Sequence, residues 1–334
     1  MPSGTAGTGL RSPNHASTGV RCAGSHPVSD PPGEHGAGHG PMPPIRPRGG
    51  RPLVRPQLIA SDLDGTLLPP DGRFPEELVR GVAAVRAAGV SFVVSTGRMF
   101  QSARRVLSGL GLEDGPIICY QGAMVADLGT ARRMYEHPLE PAVALEVVDF
   151  AHERGLHVNA FIDDQLVSDQ DDDWLRRYTT FGEVDATVVP DLCGLLTHEL
   201  TSKLLILTEP ERVERLRPEM QERWRDELYI TRSLPHHIEI NRAGATKSAA
   251  LESLRTQLGV RRDRTVACGD GLNDLDMLRW AALGVAMQEA PGEVWAAADL
   301  VVPRAELGAF LLDLAAAPER ADDRAGRGRT TAGE

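Results

Sequence analysis

The stretch Leu58-Ile59-Ala60-Ser61-Asp62-Leu63-Asp64-Gly65-Thr66-Leu67-Leu68 decides the fold. Its apolar start suits a strand that is covered on both faces, as in a parallel sheet. Asp62 then lies at the carboxyl end of that strand, where open α/β sheets bind their ligands. Gly65 permits a sharp turn that brings backbone N–H groups close to whatever the carboxylates hold. On this stretch alone, an Asp-Gly turn between two strands remains the competing interpretation.

Two more apolar strands follow, and each ends in a polar turn that contains glycine. Residues 90–94 run into Ser95-Thr96-Gly97-Arg98, and residues 117–120 run into Gln121-Gly122-Ala123. The segments between these strands have helical spacing. Strands that alternate with helices in this way predict a parallel sheet with right-handed crossovers.

The pattern changes between about residues 139 and 235 and then returns. Short segments with alternating polarity in this region predict an antiparallel sheet with helices on one side. After it, a helix with Lys247 in its first turn precedes an apolar strand that ends in residues 269–274. We therefore predict the α/β class, with a Rossmann-like parallel-sheet core and an inserted α+β domain.

The segment boundaries follow from these changes of pattern. The first 50 residues are rich in Gly, Pro, Ser and His, so they bury too little apolar surface to offset their ordering entropy. We predict a disordered tail at 1–50, core segments at 51–137 and 239–318, the inserted domain at 138–238, and a flexible tail at 319–334.

Charge and cysteine content exclude several classes of function. The 334 residues carry a net charge of −11, and because residues 1–55 carry +4, the remainder carries −15. Such an acidic body is a poor nucleic-acid binder but suits a site for divalent cations. No apolar run reaches the length of a membrane span, and no signal peptide is evident. The four scattered cysteines predict neither a zinc site nor disulfides, which favours a reducing cytoplasm.

The polar turns of the predicted core converge on one edge of the sheet. Their combination resembles the haloacid dehalogenase superfamily and, within it, the Cof-type phosphatases with a large class IIB cap. The resemblance spans residues 58 to about 302. It is carried by four motifs, namely residues 62–68, Ser95-Thr96-Gly97-Arg98, Lys247 within residues 244–248, and Gly269-Asp270-Gly271-Leu272-Asn273-Asp274 with the four residues that follow. The inserted domain would then be the cap.

Phosphoryl transfer needs an in-line nucleophile and neutralisation of the phosphate charge. Asp62 is the predicted nucleophile, which attacks phosphorus to give an aspartyl-phosphate. A carboxylate attacks a dianion only when cations cancel their repulsion, a task for which Mg²⁺ is suited. The resemblance implies Mg²⁺ ligands from Asp62, the backbone carbonyl of Asp64, and Asp270. It adds Asp274 as a direct ligand or as a residue that contacts one.

The remaining motif residues have roles around the phosphate. Asp64 is the predicted general acid for the leaving alcohol and then the base for the attacking water. Lys247 is predicted between phosphate and Asp62, although taken alone it reads as a solvated helix lysine. The predicted phosphate-binding residues are Thr96, Gly97, Gln121 and Asn273, and Asn273 has orientation of Asp270 as its alternative role.

Three positions depart from the pattern of the family. Gln121 replaces a common Asn, and its extra methylene shifts the amide donor by more than about 1 Å. Ser248 replaces a common Gly. Glu289 replaces a common Asn, and its carboxylate would repel phosphate if it faced the site. These changes affect fine positioning rather than the nucleophile.

Other charged residues have open interpretations. Arg98 either clamps the substrate or pairs with an acidic residue of the cap. Asp163-Asp164 and the acidic run at 169–173 are typical of solvated turns. His236-His237 forms a hinge or has no role.

These residues predict a Mg²⁺-dependent phosphatase for small organic phosphates, with no nucleic-acid or membrane partner. The resemblance implies sugar phosphates, or phosphorylated cofactors such as flavin mononucleotide and pyridoxal phosphate, as substrates. Asp64 favours hydrolysis over the dehalogenase and phosphonatase chemistries of the superfamily, which lack an acid there. The alternatives are a phosphomutase, and a catalytically idle protein that binds phospho-ligands.

Overall fold

The computed structural model describes residues 54–320. The tail predicted at 1–50, and all but two residues of the tail predicted at 319–334, lie outside the described residues. Between residues 54 and 320, no helix is both long enough and apolar enough to cross a membrane.

The described chain alternates strands and helices at both ends and changes its pattern in the middle. The strands are β1 (Leu58–Ser61), β2 (Ser91–Ser95), β3 (Pro116–Cys119), β4 (Met124–Asp127), β5 (Arg133–Glu136), β6 (His157–Ile162), β7 (Gln165–Ser168), β8 (Ala186–Val188), β9 (Lys203–Leu207), β10 (Leu228–Thr231), β11 (His237–Arg242), β12 (Thr265–Gly269), β13 (Leu283–Met287) and β14 (Leu300–Val302). The helices are α1 (Glu76–Ala87), α2 (Phe100–Leu107), α3 (Pro141–Glu153), α4 (Asp173–Gly182), α5 (Leu192–Leu196), α6 (Pro210–Arg223), α7 (Lys247–Gln257), α8 (Leu275–Trp280), α9 (Gly292–Ala297) and α10 (Leu307–Ala316).

The core sheet has the strand order β14-β13-β12-β1-β2-β3-β4-β5 in the described residues. Strand β1 lies between β12 and β2 and pairs with both in parallel. Its residues Leu58, Ile59 and Ala60 are fully buried, as the apolar run predicted. Because β12, β1, β2 and β3 run in the same direction, the turns after these strands lie along one edge of the sheet.

Strands β4 and β5 extend the core sheet in antiparallel pairing, which the sequence did not predict. Strand β5, at the edge, is short and has no buried residue, so it lacks the apolar run that marked the central strands. The core sheet is therefore mixed, with parallel strands at its centre.

The insert, residues 141–242, contains a second sheet with the order β10-β11-β9-β6-β7-β8 in the described chain. Its pairs are antiparallel except for β7 with β8. Helices α3, α5 and α6 pack on one face through apolar residues such as Val147, Leu192 and Val213. The other face contributes Phe161 and Leu205 to the hydrophobic cluster of the core. The parallel-sheet core and the α+β insert confirm the predicted fold class.

Two segments of the insert have more structure than the sequence predicted. Residues 169–173 read as a solvated acidic run, and Asp171 and Asp173 are exposed, but Asp172 also caps helix α4, which begins at Asp173. His236-His237 read as a hinge or as residues without a role, yet His237 begins strand β11, which pairs with β9 and β10. The starts of helix α4 and strand β11 were not predicted because Asp and His residues occupy them, and these residues do not form the apolar pattern that indicates a helix or a strand. The predicted domain boundaries stay predictions.

Candidate active site

The turn after β1 places two carboxylates at the edge of the core sheet. The Asp62 N–H donates to the Cys268 carbonyl at 2.9 Å, which ties the end of β1 to the end of β12. Gly65 adopts φ +85°, in the left-handed region, and a Cβ there would lie 2.2 Å from Asp270 Oδ2. Only glycine allows the turn to approach Asp270 this closely. The Asp-Gly turn therefore serves to bring the first motif against the last.

A glycine comparison tests this close approach. We expect Gly65→Ala to lower the free energy of unfolding by about 2–4 kcal/mol, because it combines left-handed strain with a steric clash. Gly72→Ala is the matched control, since Gly72 also has positive φ (+71°) but no atom within 4 Å of the point where a Cβ would lie. It should cost only about 1–2 kcal/mol. Equal losses in chemical denaturation would show that contact with Asp270 is unimportant.

Lys247 lies between two acidic residues in the interior. Its Nζ donates to Asp62 Oδ1 at 2.5 Å and to Asp274 Oδ1 at 2.6 Å, and all three side chains are buried. Thr246 begins helix α7 by accepting the Ala249 N–H at 3.2 Å, which fixes Lys247 in the first turn. Burial alone would lower the pKa of Lys247, but the charges of Asp274 and Asp62 raise it. The ammonium is therefore held charged against Asp62.

Three carboxylates crowd the same edge. Burial and the charge of Asp274 raise the pKa of Asp62 well above its usual range, against the opposing effect of Lys247. Burial, again with Asp274, raises the pKa of Asp270 to about 6. Oxygen atoms of Asp62, Asp270 and Asp274 lie within 4.8 Å of one another, so this group could hold a metal ion. A cation would relieve their repulsion, and an all-oxygen donor set suits hard ions such as Mg²⁺.

Asp274 already has partners at both oxygens. Besides the bond from Lys247, its Oδ2 accepts the N–H groups of Asp270 at 3.0 Å and Gly271 at 2.8 Å. Of the two roles predicted for Asp274, these contacts favour the one in which it positions the Asp270 loop and Lys247. Thr66 Oγ1 holds Asp270 from the other side, at 2.6 Å from Oδ1.

The predicted phosphate-binding residues form a second group beside the carboxylates. Asn273 Nδ2 donates to Gln121 Oε1 at 3.1 Å, and a Cβ on Gly97 would lie 2.3 Å from Gln121 Nε2. Gln121 is fully buried, and its Nε2 has no hydrogen-bond partner within residues 54–320. Thr96 Oγ1 accepts the Arg98 N–H at 3.1 Å, which leaves the hydroxyl proton available to another acceptor.

Gln121 occupies a backbone position that suits asparagine better. Its φ of 58° and ψ of 19° are left-handed, a region in which Asn is enriched. The longer side chain fits because Gly97 has no Cβ in its path. The structure thus explains how this chain accommodates Gln where the family commonly has Asn.

Arg98 binds the second carboxylate of the opening motif. Its Nε donates to Asp64 Oδ2 at 2.8 Å and its Nη2 to Oδ1 at 2.6 Å, a bidentate pair. Burial would lower the pKa of Arg98, but its hydrogen bond to Asp64 and the Asp64 charge raise it. Of the two roles predicted for Arg98, pairing with an acidic residue of the cap was wrong, because the partner Asp64 belongs to the core. The role as a substrate clamp stays a prediction.

Several contacts to the site were missed by the sequence analysis. Lys203 Nζ donates to the Gly97 carbonyl at 2.8 Å and forms a buried ion pair with Glu239 at 2.8 Å. Arg304 Nε donates to the Gly65 carbonyl at 2.5 Å. A lysine at the head of the apolar strand β9 was the available signal for Lys203. For Arg304 the sequence offered none, because its neighbours resemble an ordinary loop.

Two departures from the family pattern have local explanations. Glu289 is exposed, and its Oε2 accepts the Arg304 N–H at 3.2 Å. The Ser248 N–H donates to Asp276 Oδ2 at 2.8 Å, and its hydroxyl lies 3.1 Å from Thr246 Oγ1. Ser248 therefore takes part in the start of helix α7.

The fold and the site define a class of protein. Acidic residues at the strand ends of a parallel-sheet core meet a lysine from the start of helix α7, and an α+β unit is inserted into that core. Comparison with known proteins agrees. The sequence pattern of haloacid dehalogenase-like hydrolases matches residues 59–310. The chain belongs to this family, as its motifs predicted.

Individual relatives cover most of the chain. The 5-amino-6-(5-phospho-D-ribitylamino)uracil phosphatase YitU of Bacillus subtilis is 32% identical over 240 residues, which cover 70% of this chain and 87% of YitU. The pyridoxal phosphate phosphatase YbhA of Escherichia coli is 26% identical over 264 residues, which cover 74% and 93%. The crystal structure of TM0651 from Thermotoga maritima matches with a TM-score of 0.67 and 30% identity, over 77% of this chain and 96% of that one.

Proposed function

We propose that the protein is a Mg²⁺-dependent phosphatase that hydrolyses small phosphate monoesters through an aspartyl-phosphate intermediate. The observation that carries the proposal is the placement of Asp62. Its buried carboxylate contacts the Lys247 ammonium and shares a turn with Asp64. This arrangement supports the roles of Asp62 as nucleophile, Lys247 as cation and Asp64 as proton carrier.

The first step transfers the phosphoryl group to the protein. An Asp62 oxygen forms a bond to phosphorus while the bond from phosphorus to the ester oxygen breaks. Asp64, which the structure shows as the partner of Arg98, must take up a proton before this step and gives it to the departing oxygen, so the alcohol leaves neutral. Lys247 lowers the charge that Asp62 and the phosphate present to each other.

The second step hydrolyses the acyl phosphate. Asp64, now a carboxylate, takes a proton from a water molecule whose oxygen attacks phosphorus. The bond from phosphorus to Asp62 breaks, which releases inorganic phosphate and restores the carboxylate. Arg98 fixes the orientation of the Asp64 carboxyl group through its two parallel hydrogen bonds.

Mg²⁺ would be held by Asp62 and Asp270, with the backbone carbonyl of Asp64 as the ligand that the family resemblance adds. When bound, it supplies positive charge to the phosphoryl oxygens. Asp274 would orient the Asp270 loop rather than donate an unshared oxygen, because both its oxygens accept hydrogen bonds. The crowding of carboxylates around one ammonium supports such a cation.

The phosphate would be bound by Thr96, Gly97, Gln121 and Asn273. The unpartnered Nε2 of Gln121 and the available hydroxyl proton of Thr96 are the donors that support this assignment. For substrates we propose phosphorylated cofactors or their precursors, or sugar phosphates. The names of YitU and YbhA, which specify a phosphoribitylamino-uracil and pyridoxal phosphate, support the cofactor class.

A panel of phosphate esters tests the function. The panel includes pyridoxal phosphate, flavin mononucleotide and hexose phosphates, and released inorganic phosphate is measured with and without Mg²⁺. We expect Mg²⁺-dependent release from at least one ester. Phosphoryl movement within a sugar only when a bisphosphate is added would indicate a phosphomutase. Binding without any release would indicate an idle phospho-ligand-binding protein.

The role of Gln121 is testable by removing its amide. We expect Gln121→Leu to raise KM for the best ester roughly tenfold, since a hydrogen bond to a charged group contributes about 1.5–3 kcal/mol. Gln221→Leu is the control, because Gln221 Nε2 donates to the Ile230 carbonyl within the insert at 2.7 Å. Steady-state kinetics should show an unchanged KM for the control. An unchanged KM for Gln121→Leu would remove Gln121 from the phosphate site.

A further inference from the structure

Asp164 lies in the insert but contacts only the core through its carboxylate. Its Oδ1 accepts the Phe100 N–H at 2.9 Å and the Tyr120 hydroxyl at 2.5 Å, and its Oδ2 accepts the Gln101 N–H at 3.1 Å. The Asp164 carbonyl accepts Gln101 Nε2 at 2.7 Å. A single residue thus makes four hydrogen bonds to the core. The prediction that Asp163-Asp164 is a solvated turn was wrong for Asp164.

The turn between β6 and β7 presents this carboxylate. Asp163 and Asp164 both have positive φ, at 49° and 59°, as the central residues of a tight type I′ hairpin turn do. Their environments are opposite. The Asp163 side chain is 82% exposed and pairs with Arg133 at the surface, whereas Asp164 is buried. Asp163 is therefore a natural control for Asp164.

Helix α2 obtains its N-terminal cap from the insert. Its own preceding residue, Met99, makes no side-chain capping bond, and the first helical N–H groups, of Phe100 and Gln101, bind Asp164 instead. An unpaired N–H at a buried helix start is costly, so this contact fixes where α2 begins.

Helix α2 is also held at its side by the insert. Ser102 Oγ donates to the Gly182 carbonyl at 2.8 Å and accepts Arg98 Nη1 at 3.2 Å. Arg98 lies two residues before the first residue of α2 and holds Asp64 with its other two nitrogens. An unbroken path of bonds therefore connects Asp164 through α2 and Arg98 to Asp64.

We propose that Asp164 is a positioning residue that sets the orientation of Asp64 through helix α2 and Arg98. The inference rests on the proposed function, in which Asp64 protonates the leaving group. Docking of the β6–β7 turn on the core completes α2 and thereby aligns the proton carrier. The insert then controls the proton transfer without touching the substrate at this point.

Leaving-group dependence distinguishes this role from a general loss of structure. The kcat/KM value reports the steps up to departure of the alcohol. An alkyl phosphate needs a proton from Asp64 at that point, whereas p-nitrophenyl phosphate releases a stable anion without one. A defect in the orientation of Asp64 should therefore lower kcat/KM selectively for alkyl esters.

The experiment compares Asp164→Gly, Asp164→Asn and Asp163→Gly. Glycine removes the carboxylate without left-handed strain. For Asp164→Gly we expect kcat/KM to fall roughly tenfold to a hundredfold on an alkyl phosphate and by less than about twofold on p-nitrophenyl phosphate. Asp164→Asn keeps one acceptor and should fall between it and wild type. Asp163→Gly should match wild type on both esters.

Hydrogen exchange of residues 98–107 provides a readout that does not depend on activity. Exchange should accelerate in Asp164→Gly and stay unchanged in Asp163→Gly. Equal losses on both esters, or unchanged exchange, would overturn the proposal. If Asp164→Gly does not fold, the two esters and hydrogen exchange are compared in Asp164→Asn and Tyr120→Phe instead. If wild type hydrolyses no ester, the proposed function fails, while exchange still decides whether Asp164 holds α2.

Discussion

Asp62→Asn is expected to lower kcat by at least about 10⁴-fold, because an amide oxygen is a very poor nucleophile toward phosphorus and the proposed intermediate forms on this side chain. The substitution is isosteric, so the cavity around Lys247 stays filled. Burial and the charge of Asp274 raise the pKa of Asp62, which means that the ionised carboxylate is costly in the folded state. We therefore expect Asp62→Asn to be as stable as wild type, or more so.

The measurement combines turnover on the best ester with thermal unfolding. Asp71→Asn is the control, because Asp71 is an exposed acid of the loop that follows the same motif, where it accepts the Arg73 N–H at 3.1 Å. The control should keep wild-type turnover. Activity of Asp62→Asn above about one hundredth of wild type would point to another nucleophile or to direct attack by water. If Asp62→Asn is inactive because it does not fold, Asp62→Glu becomes the deciding variant. Glutamate keeps the charge but displaces the carboxylate oxygen.

The central sheet could be predicted because its local signals agree with its burial. Strand β1 is buried on both faces, so its sequence is a continuous apolar run, and the polar residues begin where the strand ends. The same holds for β12, which precedes Asp270. Predicting that these turns meet required only the rule that parallel strands share an edge.

The partners of charged side chains could not be predicted in the same way, because the charge of a residue does not determine where its side chain points. Asp163 and Asp164 are identical neighbours, yet one is exposed and the other caps a helix of the core. Arg98 directly follows Ser95-Thr96-Gly97, and its partner Asp64 is 34 residues away. Such contacts depend on how the insert and the core pack, which no local pattern records. Edge strands such as β5 could not be predicted either, because they bury too few residues to produce an apolar pattern in the sequence.

Lys247→Met is expected to have the largest effect on stability. The substitution keeps most of the side-chain volume and removes the ammonium that contacts Asp62 and Asp274. Both carboxylates are buried, so they lose their compensating charge. Removing one partner of a buried ion pair costs about 3–5 kcal/mol, and we expect a loss in this range in chemical denaturation. We also expect kcat/KM to fall about 10²- to 10³-fold, because the proposed attack of Asp62 on phosphate then loses a fixed positive charge.

A double variant separates the two losses. Adding Asp274→Asn to Lys247→Met removes one of the two carboxylates that have lost their counter-charge. Stability should therefore recover in part, while activity should not. Lys247→Arg keeps the charge, but the planar guanidinium does not fit a position that a point charge occupies between two oxygens, at 2.5 and 2.6 Å. It should therefore retain more stability than activity. If the free energy of unfolding of Lys247→Met lies within about 0.5 kcal/mol of that of wild type, the carboxylates are neutralised in another way, and Lys247 is not their counter-charge.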